Sequence, residues 1–490
     1  MSLLFCYLRI IFSKFSGGTM ERVIFIFFLL TTTVYSQPLQ KDMLVFADRR
    51  AAFMEKIHPN GIAIFPSKPI YLRNLDIEYP YRQESNFYYL SGFEEPESML
   101  VINPSHPKYK YIMYVRKRDR RRETYDGPRA GVEGAMSTFK ADTSLYIEDF
   151  NRTIFSFIRF DRPIYYTFGI NPETDNLLRK RLVERRSGGN WAITDPAPFL
   201  DQMRLIKNDG DWKMGLKKAI DISVAAHLEA IKSVEPGMYE HEIQAVFEYV
   251  FRKNGSPRNG YNCIVGSGYN STILHYNLNN KKIKDGDMVL MDCAAEYGYY
   301  SADITRTVPA NGKFSTEQKE IYQIVLDAQS AAIKMVKPGI MKSELDKAIN
   351  DILGKGLVKL GFIKDKEDYR MFSLHGYAHW IGLEVHDVGA YTQNGESVTL
   401  EPGMVFTVEP GLYVRTDVFE KMQERGYSKN EIAKIKSRLE KYMDIGVRIE
   451  DDIVVTESGF ENLSKDVPRE IAEIEKLMQS KGVGNLAISH

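Results

Sequence analysis

Five side chains in the second half of the chain have the types and spacing to hold divalent cations: Asp292, Asp303, His379, Glu409 and Glu450. Asp292 closes the apolar run Met288-Val-Leu-Met-Asp292, which reads as a buried strand. Past a turn at Glu296-Tyr-Gly-Tyr-Tyr300, the segment Ala302-Asp-Ile-Thr-Arg-Thr-Val308 alternates, placing Asp303, Thr305 and Thr307 on one face of a second strand. A hairpin joining the two brings Asp292 and Asp303 together. Two buried carboxylates facing each other are unfavourable unless a cation neutralises them. Further on come His375-Gly-Tyr-Ala-His379-Trp380, His386-Asp387-Val-Gly389 and Thr407-Val-Glu409-Pro-Gly411. The last segment, Gly446-Val-Arg448-Ile-Glu450-Asp-Asp452, is predicted as one strand with Arg448 and Glu450 on a shared face. Four carboxylates and one imidazole make a hard, oxygen-rich donor set, suited to manganese, magnesium or cobalt. Two bridged ions would sit roughly 3.5–4 Å apart, and a water between them would titrate near about pH 7 and become a nucleophile. Any one of these carboxylates alone reads as a cap or a surface charge, and His275 in Leu274-His275-Tyr276 reads as a satisfied core group. The ordered set at strand ends carries the reading.

These residues need a scaffold. Leu216, Ile220, Val224, Leu228 and Ile231 recur at helical spacing, and the helix stops at Pro236-Gly237. Pro236-Gly-Met-Tyr-Glu-His-Glu242-Ile243 is echoed by Pro338-Gly-Ile-Met-Lys-Ser-Glu344-Leu345, again after a helical stretch, Glu317 to Lys337. Such an echo predicts two similar lobes with a site between them. Upstream, residues 42–200 carry the strands Gly61–Phe65, Ser98–Ile102 and Tyr111–Val115 among helical stretches, an α/β pattern. A boundary is expected near Pro196 to Asn208, and an insertion-like helical stretch, Thr416 to Tyr442, separates Glu409 from Glu450. Residues 463–490 read as a tail with a short helix, Glu470 to Gln479, and a weakly structured end.

Composition narrows the function classes. The 490 residues balance 65 basic against 65 acidic side chains, which leaves no electrostatic footprint for nucleic acid. The basic run Arg116 to Arg122 is interrupted by Asp119 and reads as a solvated loop. Of three cysteines, Cys6 falls in the leader; Cys263 and Cys293 read as free core thiols, with one disulfide between them left open. From Met20 the chain runs Glu-Arg, then Val23 to Leu30, then small residues up to Ser36, the pattern of a signal peptide over 1–36 with Met20 as a possible true start. The expectation is an exported protein, periplasmic or extracellular, with no stable membrane insertion after leader removal. A cytoplasmic location is the alternative if the start is wrongly placed.

The quoted motifs, with Ile264-Val-Gly-Ser-Gly268, Leu274-His-Tyr276, Glu384-Val-His-Asp-Val-Gly389 and Glu401-Pro-Gly-Met404, resemble the pita-bread metallopeptidase family in its aminopeptidase P branch. Tyr81-Arg-Gln-Glu-Ser-Asn-Phe-Tyr-Tyr-Leu-Ser-Gly-Phe-Glu-Glu-Pro96 resembles that branch's N-terminal domain. The resemblance implies an N-terminal α/β domain of creatinase/prolidase type over 42–200, followed by a pita-bread catalytic domain over 203–462 with an internal pseudo-two-fold repeat. It implies Asp292, Asp303, His379, Glu409 and Glu450 as ligands of two divalent ions, usually Mn2+, with Asp303 and Glu450 bridging. His275, His375 and His386 would line the substrate pocket and stabilise the oxyanion. Arg448 would orient ligand carboxylates, and Glu409 would take the proton of the attacking water. The implied activity releases the N-terminal residue of peptides whose second residue is proline, in a homo-oligomer, dimer or tetramer. The alternatives are an Xaa-Pro dipeptidase and a pita-bread module without catalysis. Two departures from the pattern stand out: the stretch 416–442, and Tyr88 where a tryptophan is expected.

Overall fold

In the N-terminal half, short apolar runs become a six-stranded mixed sheet covered on both faces. The computed structural model describes residues 42–158, 162–184 and 192–485. The leader, Cys6 and the last five residues lie outside the described residues. Strands β1 (Ile62–Pro66), β2 (Met99–Ile102), β3 (Tyr111–Val115), β4 (Thr143–Tyr146), β5 (Ile164–Tyr165) and β6 (Ile193–Thr194) lie in the order β4-β3-β2-β1-β5-β6. Neighbouring side chains in a strand point to opposite faces. Ala63, Phe65, Leu100, Ile102, Met113 and Val115 therefore meet helix α1 (Met43–Lys56) and helix α2 (Ser85–Ser91) on one side. Ile62, Ile64, Val101, Ile112 and Tyr114 meet Phe150, Ile154 and Leu178 on the other. The α2-side core continues into the second half through Leu216, Ala219, Tyr299, Tyr300, Ile381 and Leu383. Within the interval 196–208, Ala197–Leu205 is a helix that leads straight into the second half.

The repeated Pro-Gly turns mark equivalent places in two lobes. Helix α3 (Leu216–Ser233) turns at Gly237 (φ 99°) into α4 (Glu240–Lys253); α5 (Thr316–Met335) turns at Gly339 (φ 86°) into α6 (Lys342–Leu360). Both turns use a positive φ that suits glycine. Gly237 N–H donates to Ile283 O and Gly339 N–H to Leu400 O, each at 2.9 Å. Glu240 N–H donates to Lys281 O and Lys342 N–H to Val398 O, each at 3.0 Å. The echo in sequence is thus an echo in hydrogen bonding.

Two small sheet regions carry the candidate site, the second of them made of two separate sheets. In one, β7 (Ile264–Ser267), β8 (Met288–Asp292) and β9 (Thr305–Pro309) are antiparallel, with Asp292 opposite Thr305. In the other, β10 (Val405–Val408) pairs with β13 (Asp451–Val455), while β11 (Gly411–Tyr413) pairs with β12 (Gly446–Arg448). Asp303 sits just ahead of β9 rather than within it, and its N–H donates to Asp452 Oδ2 at 3.2 Å. Arg448 and Glu450 do not share one strand either. The strand expected over 446–452 changes partner at Ile449-Glu450. Pro410 lies at the matching break between β10 and β11, and with no N–H it cannot extend a ladder. Glu450 instead pairs with Thr305, its N–H 3.1 Å from Thr305 O, and so links the two regions.

Other expectations are amended. Part of the basic run is helix, Arg120–Asp126, capped by Asp119 and solvated. The tail's helix spans Ile471–Leu477, and the segment after it is docked, not loose: Asn485 Nδ2 donates to Ser233 O at 2.8 Å and Gly484 N–H to Ser233 Oγ at 3.0 Å. The stretch 416–442 forms helices Val418–Glu424 and Lys429–Leu439; Met422, Ile432, Ile435 and Leu439 join the second-half core. Cys263 and Cys293 are buried free thiols. Tyr88 is 1% exposed, stacked on Tyr299 at 3.7 Å between ring centres, so it offers this chain's substrates no surface. Among the described residues, no helix is long and apolar enough to cross a membrane.

Candidate metal centre and active site

The partner change at Glu450 and the register Asp292–Thr305 bring acidic groups from both regions to one place. Donor atoms of Asp303, His379 and Glu450 all lie within 4.8 Å of one another. His379 Nε2 is 3.3 Å from Asp303 Oδ2, 3.5 Å from Glu409 Oε1 and 3.9 Å from Glu450 Oε1. Its other nitrogen, Nδ1, is 3.2 Å from Trp380 O, and a carbonyl can only accept, so Nδ1 carries the hydrogen. Nε2 is the nitrogen turned toward three carboxylates. Asp292 joins the group through Tyr261, whose hydroxyl is 2.5 Å from Asp292 Oδ1 and 2.6 Å from Asp303 Oδ1.

Around this cluster lies a ring of orienting groups. Arg448 Nη2 donates to Asp292 Oδ2 at 2.5 Å, Nε to Thr305 Oγ1 at 3.2 Å and Nη1 to Tyr413 OH at 3.0 Å. Thr305 Oγ1 donates to Glu450 Oε2 at 2.6 Å. Thr407 Oγ1 accepts from His379 N–H at 3.0 Å and donates to Glu409 Oε1 at 3.3 Å.

Electrostatics shows what the cluster lacks. Burial, then Asp292, pushes the Asp303 carboxyl well above the usual range. Burial, then Asp303 and Glu409, does the same to Glu450. Glu409 is raised by burial, against the pull of His379 and Arg448. Burial opposes the charge of Arg448, but Tyr413, Asp292, Glu450 and Glu409 more than compensate and raise it well above the usual value. One guanidinium cannot neutralise four carboxylates. One phenol hydrogen likewise cannot serve both Asp292 and Asp303. Both features are satisfied by divalent cations among these oxygens, and the donor set, hard oxygen with one imidazole, fits such ions.

The three remaining histidines flank the cluster. His375 Nδ1 is 3.4 Å from Glu409 Oε2, and its Nε2 is 2.7 Å from Tyr413 OH. Burial, then Arg448, lowers its pKa to about 4. His386 stands with its ring centre 4.1 Å from that of His379; burial, then His379 and His275, lowers it below the ordinary value. His275 is exposed, not a buried core group, and is close enough to His375 and His386 to act on both electrostatically. Sequence reasoning assigned nothing to Tyr261, Tyr413 or Thr407. The period-two face that pairs Asp303 with Thr305 was a usable signal for Thr305. Nothing local marks Tyr261, which reaches carboxylates 31 and 42 residues away.

Comparisons with known proteins place the chain among peptidases. Residues 214–457 match the model of metallopeptidase family M24, and residues 46–165 match that of the aminopeptidase P N-terminal domain. The Xaa-Pro aminopeptidase of Escherichia coli K12 is 38% identical over 447 residues, 88% of this chain and 97% of that protein. The Xaa-Pro aminopeptidase of Haemophilus influenzae is 37% identical over 88% of this chain and 96% of that protein. A solved structure of an aminopeptidase from Pseudomonas aeruginosa has a TM-score of 0.82 at 39% identity and covers 90% of this chain and 99% of that one.

Proposed function

The chain belongs to metallopeptidase family M24, and from that premise we propose the following: it is an Xaa-Pro aminopeptidase that holds two divalent ions, manganese by preference, and hydrolyses the bond before a proline at the second position of peptides. The observation that carries this reading is the convergence of Asp303, His379 and Glu450, with Asp292 and Glu409 beside them. Asp292, Asp303, His379, Glu409 and Glu450 would hold the metal. Bound there, such ions acidify a water and polarise the scissile carbonyl.

The chain's own side chains do the rest. Glu409, placed beside His379 Nε2 and the Thr407 hydroxyl, accepts the proton of the attacking water. His375 is neutral at physiological pH, since it loses its proton near about 4. Tyr413 holds it by hydrogen bonding, and it contacts the scissile carbonyl as an uncharged ring. Arg448 fixes Asp292 and Tyr413 together. The leaving group is the proline nitrogen, which must gain a proton to depart. His386, neutral at rest because its pKa is lowered, relays that proton. His275, exposed near His375 and His386, meets the proline side of the substrate. We also propose export through the leader and assembly as a homo-oligomer, dimer or tetramer.

A comparison of Ala-Pro-Ala with Ala-Pro tests substrate class. The manganese-loaded chain is expected to release free alanine and Pro-Ala from the tripeptide. Turnover of Ala-Pro alone would assign it to dipeptidases instead.

A further inference from the structure

We infer that Asp387 is a positioning residue: gripped by Arg204 and Lys207, it fixes the imidazole of His386 beside His379. This rests on the role proposed above for His386. The two residues lie in segment 382–389, which has no helix or strand. Such a segment does not hold a side chain in place by its own backbone ladder, yet the His386 ring is set 4.1 Å from that of His379.

The grip comes from outside the segment. Arg204 Nη2 donates to Asp387 Oδ1 at 2.5 Å and Lys207 Nζ to Asp387 Oδ2 at 2.9 Å. Asp387 N–H donates to Trp380 O at 2.9 Å, which ties it to the residue after His379. Arg204 and Asp387 are 3% and 6% exposed, so solvent screens the pair little. Arg204 also spends its second prong, Nη1, on Asn86 Oδ1 at 2.8 Å, in helix α2 of the N-terminal half. Arg82 of that half donates to Leu383 O at 2.5 Å. The segment is therefore held from the N-terminal half near both ends. Glycine is required at 382, because a Cβ there would collide with Asp387 Oδ2.

Both oxygens of Asp387 are taken by the two cations, so its carboxylate does not face substrate. Its influence passes through His386. A purely structural ion pair would weaken the fold without caring whether His386 is present, and a double-mutant cycle separates the two.

The experiment uses the manganese-loaded full chain. It measures kcat and KM for Ala-Pro-Ala, and Pro-Ala affinity by calorimetry, in wild type, Asp387→Asn, His386→Ala and the double variant. Asp387→Asn is expected to lower kcat/KM by about 10–100-fold in wild type, the usual effect of losing a group that orients an active side chain. In the His386→Ala background it should change kcat/KM by less than about twofold, and Pro-Ala affinity should show the same non-additivity. An equal fold-loss in both backgrounds, or a loss under about threefold in wild type, overturns the inference. Arg204→Lys keeps the charge but loses the two-pronged grip. It must give the same pattern, and it decides the matter if Asp387→Asn does not fold. Wild-type failure on Ala-Pro-Ala sinks the proposed function, whereas wild-type turnover with additive variants sinks the clamp alone.

Discussion

Asp303→Ala is expected to reduce kcat/KM on Ala-Pro-Ala by about a thousandfold or more, equivalent to about 4 kcal/mol of transition-state stabilisation at roughly 1.4 kcal/mol per decade. Asp303 is the residue through which the cluster is knit. Its Oδ2 lies 3.3 Å from His379 Nε2, its Oδ1 takes the Tyr261 hydroxyl, and its N–H is held by Asp452. Removing the carboxylate takes away a metal donor, and Tyr261 keeps only Asp292. The fold should survive, because the deleted group is a repelled carboxyl whose charge the folded chain does not favour. Steady-state kinetics alongside a denaturation curve checks both halves of this statement. Activity within about tenfold of wild type would refute a metal-ligand role for Asp303.

Arg306→Ala should act on stability, by about 3–5 kcal/mol at neutral pH, the usual consequence of leaving a buried charge without its partner. Arg306 and Asp451 are both 0% exposed and meet at 2.7 Å. Arg306 also donates to Glu450 O at 2.6 Å, Thr305 O at 2.9 Å, Val467 O at 2.9 Å and Pro468 O at 3.1 Å. One guanidinium thus staples the sheet crossing and the chain segment behind it. Burial tends to raise the Asp451 carboxyl, but Arg306 and Arg469 hold it below the usual carboxylate range. A depressed carboxyl contributes stability above its unfolded pKa and loses it as pH falls through the folded value. The difference between wild type and Arg306→Ala is therefore largest near neutral pH and narrows below the ordinary carboxylate range. Urea midpoints at pH 7 and in mild acid measure this. A loss under about 1 kcal/mol at pH 7 would mean that Arg306 does not neutralise Asp451.

Part of the site could be read in the chain because two of its carboxylates, Asp292 and Glu409, stand at the ends of apolar strands. Asp292 closes β8 and Glu409 follows β10, so a buried terminus with a charged last residue marks each one. The lobes were legible because Pro-Gly turns impose the same backbone geometry twice. What stayed hidden depends on partners distant in sequence. The change of strand partner at Glu450 follows from Pro410, forty residues earlier by the sequence count, and from a bridge to Thr305. Alternation alone cannot reveal such a switch. Tyr261, Arg204 and Arg82 look like ordinary residues of a turn, a helix and a loop. Their meaning lies in contacts with Asp292, Asp387 and Leu383. The interval 196–208, where a boundary is expected, hides its contacts in the same way. Tertiary packing makes it a helix, because Leu200 fills the N-terminal core and Arg204 caps a buried carboxylate.

The most direct test of the metal centre is a count of bound metal. The wild-type chain, loaded with manganese and dialysed free of excess, should retain two equivalents by elemental mass spectrometry, and a chelator that strips them should silence hydrolysis until manganese returns. A folded chain that retains none above the buffer, and still cleaves Ala-Pro-Ala in chelator, would contradict the account.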